Sequence, residues 1–350
     1  MKKISSIIFV AILTLGIFTG CQSSTKQTLK VFNWGEYMDM DVINNFEKEF
    51  DVNVVYDTFD SNETMYNKIA SGSVNYDVLF PSDYMAEKMI KEEMLEPLDF
   101  TQIPNMKNIN PDVLNADYDP NQTYSVPYFW GTVGILYDKT KVNKPVDSWD
   151  ILWDETYKDD IFMYNSSRDS MMVALKKLGF SMNTKNPQEI EAAKQELIKQ
   201  KPLVLGYVGD EVINNMINSQ ASLAVVYSGD ATAIMQENPN MAYAIPKEQG
   251  SNMWIDPVVI TKNAAEKELA HAFINYLADP EVAKLNTEAV GYSTANSATL
   301  ALLKNDDVEW VNWQSYNPTL TNYQNMEFFH TGSDEVLEMY NQAWEDVISA

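Results

Sequence analysis

The chain of 350 residues holds one cysteine, Cys21, two histidines, His271 and His330, and a single arginine, Arg168. One cysteine excludes an internal disulfide and any cysteine-based zinc cluster, and two histidines leave little for histidine-rich metal chemistry. Positive charge is scarce: 25 Lys and Arg stand against 50 Asp and Glu, a formal net charge of −25. So acidic a chain does not track phosphate backbones, which excludes nucleic acid as a partner, while small cations are attracted by long-range steering. Catalytic signatures are missing as well. The sequence contains no G-x-S-x-G, no P-loop, no G-x-G-x-x-G and no H-E-x-x-H. A serine nucleophile would need one of two histidines. His271 lies on a helical face beside Phe273, where packing is its ordinary use, and His330 sits beside a glycine turn with no evident partner. No cofactor and no metal are expected, and the chain reads as something other than an enzyme.

Hydrophobic residues at 45% and aromatics at 12% mark a globular protein, and the length favours two domains or two lobes of one fold. The start of the chain is different in kind. Lys2 and Lys3 precede an interrupted apolar run over residues 4–18, then Thr19-Gly20-Cys21. A basic start, a short apolar core and small residues before a cut describe a secretory signal, too short and too broken for a membrane span. The lone cysteine just after Gly20 resembles a bacterial lipoprotein signal, in which the cysteine is acylated and becomes the mature N-terminus. That reading assigns residues 1–20 to the signal and 21–28 to a polar tether, and places the rest outside the cytoplasm, anchored to the membrane through Cys21. No later stretch approaches the ~18 apolar residues a span requires.

Beyond the tether, strands and helices alternate. Residues 29–34, 52–59 and 76–80 read as strands, and 42–50, 61–70 and 84–94 as helices, with Ser61 placed to cap the second. This order implies an α/β fold with mostly parallel sheets covered on both faces. Residues 125–137, containing Pro127, Gly131 and Gly134, are too long for one strand of a small sheet and read as a crossing between lobes. Further strands are expected over 160–164, 203–208, 222–227 and 242–245, and 254–261 reads as the return crossing. Ser166-Ser167-Arg168-Asp169 resembles a capping box opening a helix that Gly179 ends. Asp279-Pro280 starts another, and residues 333–348 carry an apolar stripe for a closing helix. The polar stretch 308–328 has no clear assignment.

In open α/β sheets, ligands sit beyond the carboxyl ends of strands. Acids lie next to aromatics at these places: Trp34, Glu36 and Tyr37; Ser82, Asp83 and Tyr84; Tyr227 and Asp230; and, two apart on one strand face, Trp254 and Asp256. Carboxylates neutralise ammonium groups, and aromatic faces cover methylenes while adding cation–π attraction of ~0.5–2 kcal/mol each. The combination suits a flexible organic polycation. A metal ion would want oxygens alone and an anion would want arginines. Each residue also has a plainer use: Trp34 and Trp254 suit a core, Asp83 suits a helix cap, and Asp169 and Asp230 suit helix starts, where the dipole favours acids. Glu36 and Asp256 have no such alternative.

The runs Val31-Phe32-Asn33-Trp34-Gly35-Glu36-Tyr37, Ser61-Asn62-Glu63-Thr64-Met65-Tyr66, Tyr76-Asp77-Val78-Leu79-Phe80-Pro81-Ser82, Tyr124-Ser125-Val126-Pro127-Tyr128-Phe129-Trp130-Gly131 and Val290-Gly291-Tyr292-Ser293-Thr294 resemble the spermidine/putrescine-binding proteins of polyamine ABC importers. The likeness runs in order over nearly the whole mature chain. It implies a two-lobed periplasmic-binding-protein-like fold of type II, with lobe one over residues 29–133 plus 255–305 and lobe two over 134–254 plus 306–350. It also implies a polyamine held between the lobes, and an ABC permease with its ATPase as partners of a monomer. The family's ligand positions fall on Trp34, Glu36, Tyr37, Ser82, Tyr84, Trp254, Asp256 and Tyr292, with Tyr227 where tryptophan is frequent. Of two acids found near residues 160–169, Asp169 matches one and Ser166 stands at the other. Asp230 stands where a small polar residue is usual, Gly35 replaces a hydroxyl residue, and Phe328, Phe329 or His330 fills the place of a late polar contact. On this reading Trp254, Tyr37 and Tyr227 sandwich methylenes, Asp256 pairs with an ammonium, and Glu36 and Asp169 sit near the ends. Carriers for agmatine or a basic amino acid, a non-transport sensor and a secreted hydrolase are the competing readings.

Overall fold

The computed structural model describes residues 26–319 and 322–350, so the signal, most of the tether and Cys21 lie outside the described residues. The strands in chain order are β1 (Thr28–Trp34), β2 (Asn53–Phe59), β3 (Val78–Leu79), β4 (Ser125–Asp138), β5 (Ile161–Tyr164), β6 (Val204–Val208), β7 (Leu223–Tyr227), β8 (Met241–Ala244), β9 (Met253–Ile260) and β10 (Ser293–Thr294). The helices are α1 (Met40–Phe50), α2 (Asn62–Ala70), α3 (Asp83–Lys91), α4 (Ser167–Lys177), α5 (Pro187–Gln200), α6 (Glu211–Ile217), α7 (Ser228–Glu237), α8 (Lys267–Leu277), α9 (Pro280–Val290), α10 (Ser297–Asn305) and α11 (Asp334–Ser349).

The strands follow the order β2-β1-β3-β9-β4-β7-β5-β6, with β10 and β8 also paired to β4. Strands that alternate with helices run parallel, β1 with β2 and β3, and β5 with β6 and β7. The crossing strands do not: β9 is antiparallel to β3 and β4, and β4 is antiparallel to β7 and β8. A strand that leaves one sheet and returns must run back along its outgoing partner, so the mostly parallel expectation holds for the βα units and fails at the crossings. The fourteen-residue β4 belongs to both sheets. Ser125 to Thr132 pair with β9, and Val133 to Asp138 pair with β7 and β8. Two lobes result, one on β2-β1-β3-β9-β4-β10 and one on β4-β8-β7-β5-β6.

Both faces of each sheet are covered, which is why the strands read as apolar runs. In lobe one, Val31, Val78 and Ile260 point into a core shared with Phe46 and Phe273, while their neighbours Phe32, Leu79 and Val259 point into a second one with Met65 and Met89. In lobe two, Ile135, Ile161 and Val225 face Trp149 and Met171, and Leu136, Phe162 and Ala224 face Val212 and Ile234. The period of two along a strand divides the apolar set between the two layers.

Several sequence expectations hold at the level of single bonds. Ser61 caps α2 by accepting from the Thr64 N–H, Ser166 caps α4, and Pro280 opens α9 behind the cap Asp279. Others shift. Asn263-Ala264-Ala265-Glu266 reads in sequence as the cap of a helix running through Ala278, yet α8 begins at Lys267, and the turn before it is held from elsewhere: Asp77 Oδ1 accepts from the Ala265 and Glu266 N–H groups at 2.7 and 3.0 Å. Trp149 to Tyr157, which reads in sequence as one short helix, forms two short 3-10 turns. α6 and α10 were not expected.

His271 is buried and structural, its Nε2 accepting from the Asp99 N–H at 3.0 Å. Gly134 lies against the Tyr243 ring, where an added Cβ would come within 2.4 Å. Gly134→Ala is therefore expected to destabilise the protein by ~1–3 kcal/mol through overpacking, read by denaturant unfolding.

Candidate functional site

The carboxyl ends of the parallel strands supply most of the site. β1 ends at Trp34, whose ring tilts on Phe59 at 4.5 Å between centroids. The turn that follows puts Glu36 in the left-handed region at φ 50°, an uncommon conformation for a non-glycine residue. Glu36 is exposed and makes no hydrogen bond or ion pair among the described residues. The next residue, Tyr37, is buried, and its hydroxyl donates to Asp256 Oδ2 at 2.7 Å. Thus Trp34, Glu36 and Tyr37 arrive on one short turn beside the crossing strand that carries Asp256 and Trp254.

After β3, Ser82 is the N-cap of α3 and Asp83 is its first residue, so the cap expected of Asp83 belongs to its neighbour. Asp83 has a different use. It is buried, and its two oxygens accept from the Tyr84 N–H at 2.6 Å and the Ile255 N–H at 3.2 Å, which ties α3 to β9. Asn62, not singled out from the sequence, organises the same corner: its amide donates to Ser82 Oγ at 3.1 Å and to the Tyr84 hydroxyl at 2.9 Å. The Ser61 cap places Asn62 at the start of α2, which is the one sequence signal that bore on it.

Lobe two contributes a matching set. Asp169, in the first turn of α4, is buried and its Oδ2 accepts from the Tyr227 hydroxyl at 2.9 Å and from Ser166 Oγ at 2.7 Å. Asp230, in the first turn of α7, accepts from Tyr164 at 2.9 Å and from Tyr292 at 2.8 Å. Tyr164 also receives the Tyr227 N–H at 3.0 Å. It was missed because it closes β5 with the pattern of a core strand. Arg168 lies over the Tyr84 ring at 4.0 Å and is thereby committed to stacking.

The aromatic rings form a connected set. Trp254 meets Tyr292 edge-on at 5.3 Å and Tyr227 at 6.3 Å, and Tyr292 meets Tyr37 at 5.6 Å. The indole N–H groups of Trp34 and Trp254 are buried with no acceptor among the described residues. The structure therefore brings Tyr37, Tyr227, Trp254, Asp256 and Tyr292 together directly, with Asp169 and Asp230 joined to them through hydroxyls. Ser82 and Tyr84 border this set, Trp34 packs against the same lobe-one core, and exposed Glu36 is the residue before Tyr37.

Three buried acids thus accept from hydroxyls and form no salt bridge among the described residues, and their burial raises the cost of ionising them. Burial pushes the Asp256 carboxyl up to about 7, against smaller opposing effects of the Tyr37 and Ser82 hydroxyls. Burial likewise pushes Asp230 up to about 6 and raises Asp169. Burial, and then the charge of Asp256, hold Asp83 well above the carboxylate range. Among the described residues no group of side chains fits a metal ion, and no helix is long and apolar enough to cross a membrane.

Two lobes joined by crossing strands, with buried acids and aromatic rings where the lobes meet, define a solute-binding fold. The chain matches the model of the bacterial extracellular solute-binding proteins over residues 41–314, and it belongs to that family. It is 38% identical over 306 residues to the spermidine/putrescine-binding periplasmic protein of Salmonella typhimurium, covering 87% of each chain. Among solved structures it resembles a putative spermidine/putrescine ABC transporter protein of Listeria monocytogenes, with TM-score 0.85 and 38% identity over 92% of this chain and 99% of that one. The substrate-binding protein PotD of Streptococcus pneumoniae gives TM-score 0.83 and 36% identity over the same shares.

Because Asp256 is harder to ionise in the folded protein than in the unfolded chain, the stability it contributes is greatest at acidic pH and is lost as pH rises through about 7. Relative to Asp256→Asn, the wild type should lose about 2 kcal/mol between pH 5 and pH 8, read by denaturant unfolding at each pH. A difference independent of pH would contradict this.

Proposed function

We propose that this protein captures a polyamine, spermidine and/or putrescine, between its lobes and delivers it to an ABC permease driven by an ATPase. The observation that carries the reading is the pairing of Asp256, Asp230 and Asp169 with tyrosine hydroxyls rather than with cations, among rings that suit methylenes. None of the three acids forms a salt bridge among the described residues. An ammonium group supplies the missing charge, and Trp254, Tyr37 and Tyr227 cover the carbon chain between ammoniums. Asp256 takes an ammonium near the middle of the site, and Glu36 and Asp169 serve the two ends. Trp34, Ser82, Tyr84 and Tyr292 complete the walls, and Asp83 acts behind them by fixing α3 to β9. The likeness to proteins named for spermidine and putrescine supports the same class of ligand.

A basic amino acid is a poorer fit. Its carboxylate needs a guanidinium clamp, and Arg168 is stacked on Tyr84. The moving bodies on this reading are residues 29–133 with 255–305 and residues 134–254 with 306–350. The protein works as a monomeric receptor outside the cytoplasm, without catalysis of its own. Acylation of Cys21 tethers it, which raises its effective concentration near the permease. Metabolic labelling with a fatty acid should mark the wild type and leave Cys21→Ala unmarked.

Calorimetry with putrescine, spermidine, spermine, agmatine and lysine tests the reading, and no heat with any polyamine overturns it. Asp256→Asn should weaken polyamine binding at least tenfold; an unchanged affinity removes Asp256 from the site. An ammonium beside Asp256 draws the carboxyl into its ionised form, so binding near pH 6.5 should release protons. Titrations in two buffers of different protonation enthalpy read this release, and proton uptake would refute the pairing.

A further inference from the structure

The chain's single arginine stands beside the buried acids, in a place where a cation is not expected. Arg168 lies in the first turn of α4, behind the Ser166 cap and next to buried Asp169. The helix dipole favours acids in that turn and disfavours a positive charge. The guanidinium is fixed by aromatic rings instead. It lies over the Tyr84 ring at 4.0 Å, with the Phe329 ring at 5.9 Å. Among the described residues Arg168 forms no salt bridge, whereas the nearly or partly buried Lys176, Lys177 and Lys194 each pair with an acid.

A ring face holds a guanidinium in place without cancelling its charge, and arginine keeps that charge at any ordinary pH. The charge reaches the site. It favours the ionised forms of Asp83 and Asp169, against the larger opposing effect of their burial. The two ends proposed for the site therefore differ. Glu36 is exposed and has no ion pair among the described residues, while Asp169 has a fixed cation as its chain neighbour. An ammonium near Asp169 meets attraction from the acid and repulsion from the guanidinium. That repulsion grows with the number of charges a ligand carries, and a partly buried setting screens it less than bulk solvent does.

We infer that Arg168 is a specificity residue: held on Tyr84 beside Asp169, its fixed positive charge limits how many ammonium groups the site accepts and favours shorter polyamines over longer ones. This role rests on the polyamine reading above and gives that site its selectivity. Arg168 acts through its field and needs no contact with the ligand.

Two substitutions separate charge from stacking. Arg168→Met keeps an unbranched apolar stem and removes the charge, and Arg168→Lys keeps the charge and gives up the planar stack. Calorimetry with putrescine, spermidine and spermine is run on both variants and on wild type. In Arg168→Met the affinity ratio of spermidine to putrescine should rise about tenfold, and that of spermine to putrescine by more. In Arg168→Lys both ratios should stay within about twofold of wild type, even where the affinities themselves fall. A roughly tenfold rise in ionic strength should narrow the difference between wild type and Arg168→Met. Should Arg168→Met fail to fold, Arg168→Gln carries the same comparison. Unchanged ratios in the neutral variant, with all affinities lowered by one factor, overturn the inference and leave Arg168 a stacking residue. Ratios that move equally in the neutral variant and Arg168→Lys overturn it too, because charge is then not what moved them. A wild type that binds none of the three polyamines defeats the functional proposal and this inference together, an outcome distinct from binding with unmoved ratios.

Discussion

The site depends on the cost of keeping carboxylates away from water without a positive neighbour. Burying an ionised acid is expensive, and a protein has two remedies: supply a cation, or let the acid hold its proton. In this chain lysine is kept to the surface and to separate pairs, such as buried Lys176 with Glu327, and the single guanidinium is stacked on Tyr84. The acids in the gap between lobes receive tyrosine hydroxyls instead. A hydroxyl partly stabilises the anion, and it leaves the charge itself unmet. That residual demand is the basis of the proposed preference for ammonium groups, and burial raises the carboxyls of Asp169, Asp230 and Asp256 above the usual range.

The fold was legible in the sequence wherever one local signal decided it. The apolar runs of β1, β4 and β9, the Ser61 and Ser166 caps and the Asp279-Pro280 helix start each depend on residues a few positions apart. What escaped depended on distant partners. α8 starts late because Asp77, far away in the chain, accepts from the N–H groups before it. α6 and α10 are short and weakly patterned, so tertiary contacts decide them. The antiparallel direction of the crossings follows from a return path that no single segment encodes.

The site divides in the same way. Acids beside aromatics at strand ends named Tyr37, Tyr227, Asp230, Trp254 and Asp256, the resemblance added Asp169, and the structure joins all six in one network of rings and hydroxyls. Asp83 illustrates the opposite case. In sequence it stands beside Tyr84 like the others, yet its oxygens are both taken by backbone N–H groups, one of them on a strand 172 residues away. Tyr164 and Asn62 could not be separated from ordinary core and cap residues, because what distinguishes them is which hydroxyl or carboxylate they meet.

The passage of β4 through both sheets has a consequence for how the chain is made. Residues 134–254 of lobe two lie between the two segments of lobe one, and β3 gains its second neighbour only when β9 arrives; the Thr261 hydroxyl then meets the Tyr76 carbonyl across 185 residues. The first half of the polypeptide emerges with its central sheet incomplete and exposed along one edge. Loop closure over such a span is slow, and lobe two waits longer still, because α11 at the end of the chain brings Tyr340, Ala343 and Val347 to its core. The surface between the lobes, which needs both of them, therefore forms late in the assembly of the molecule.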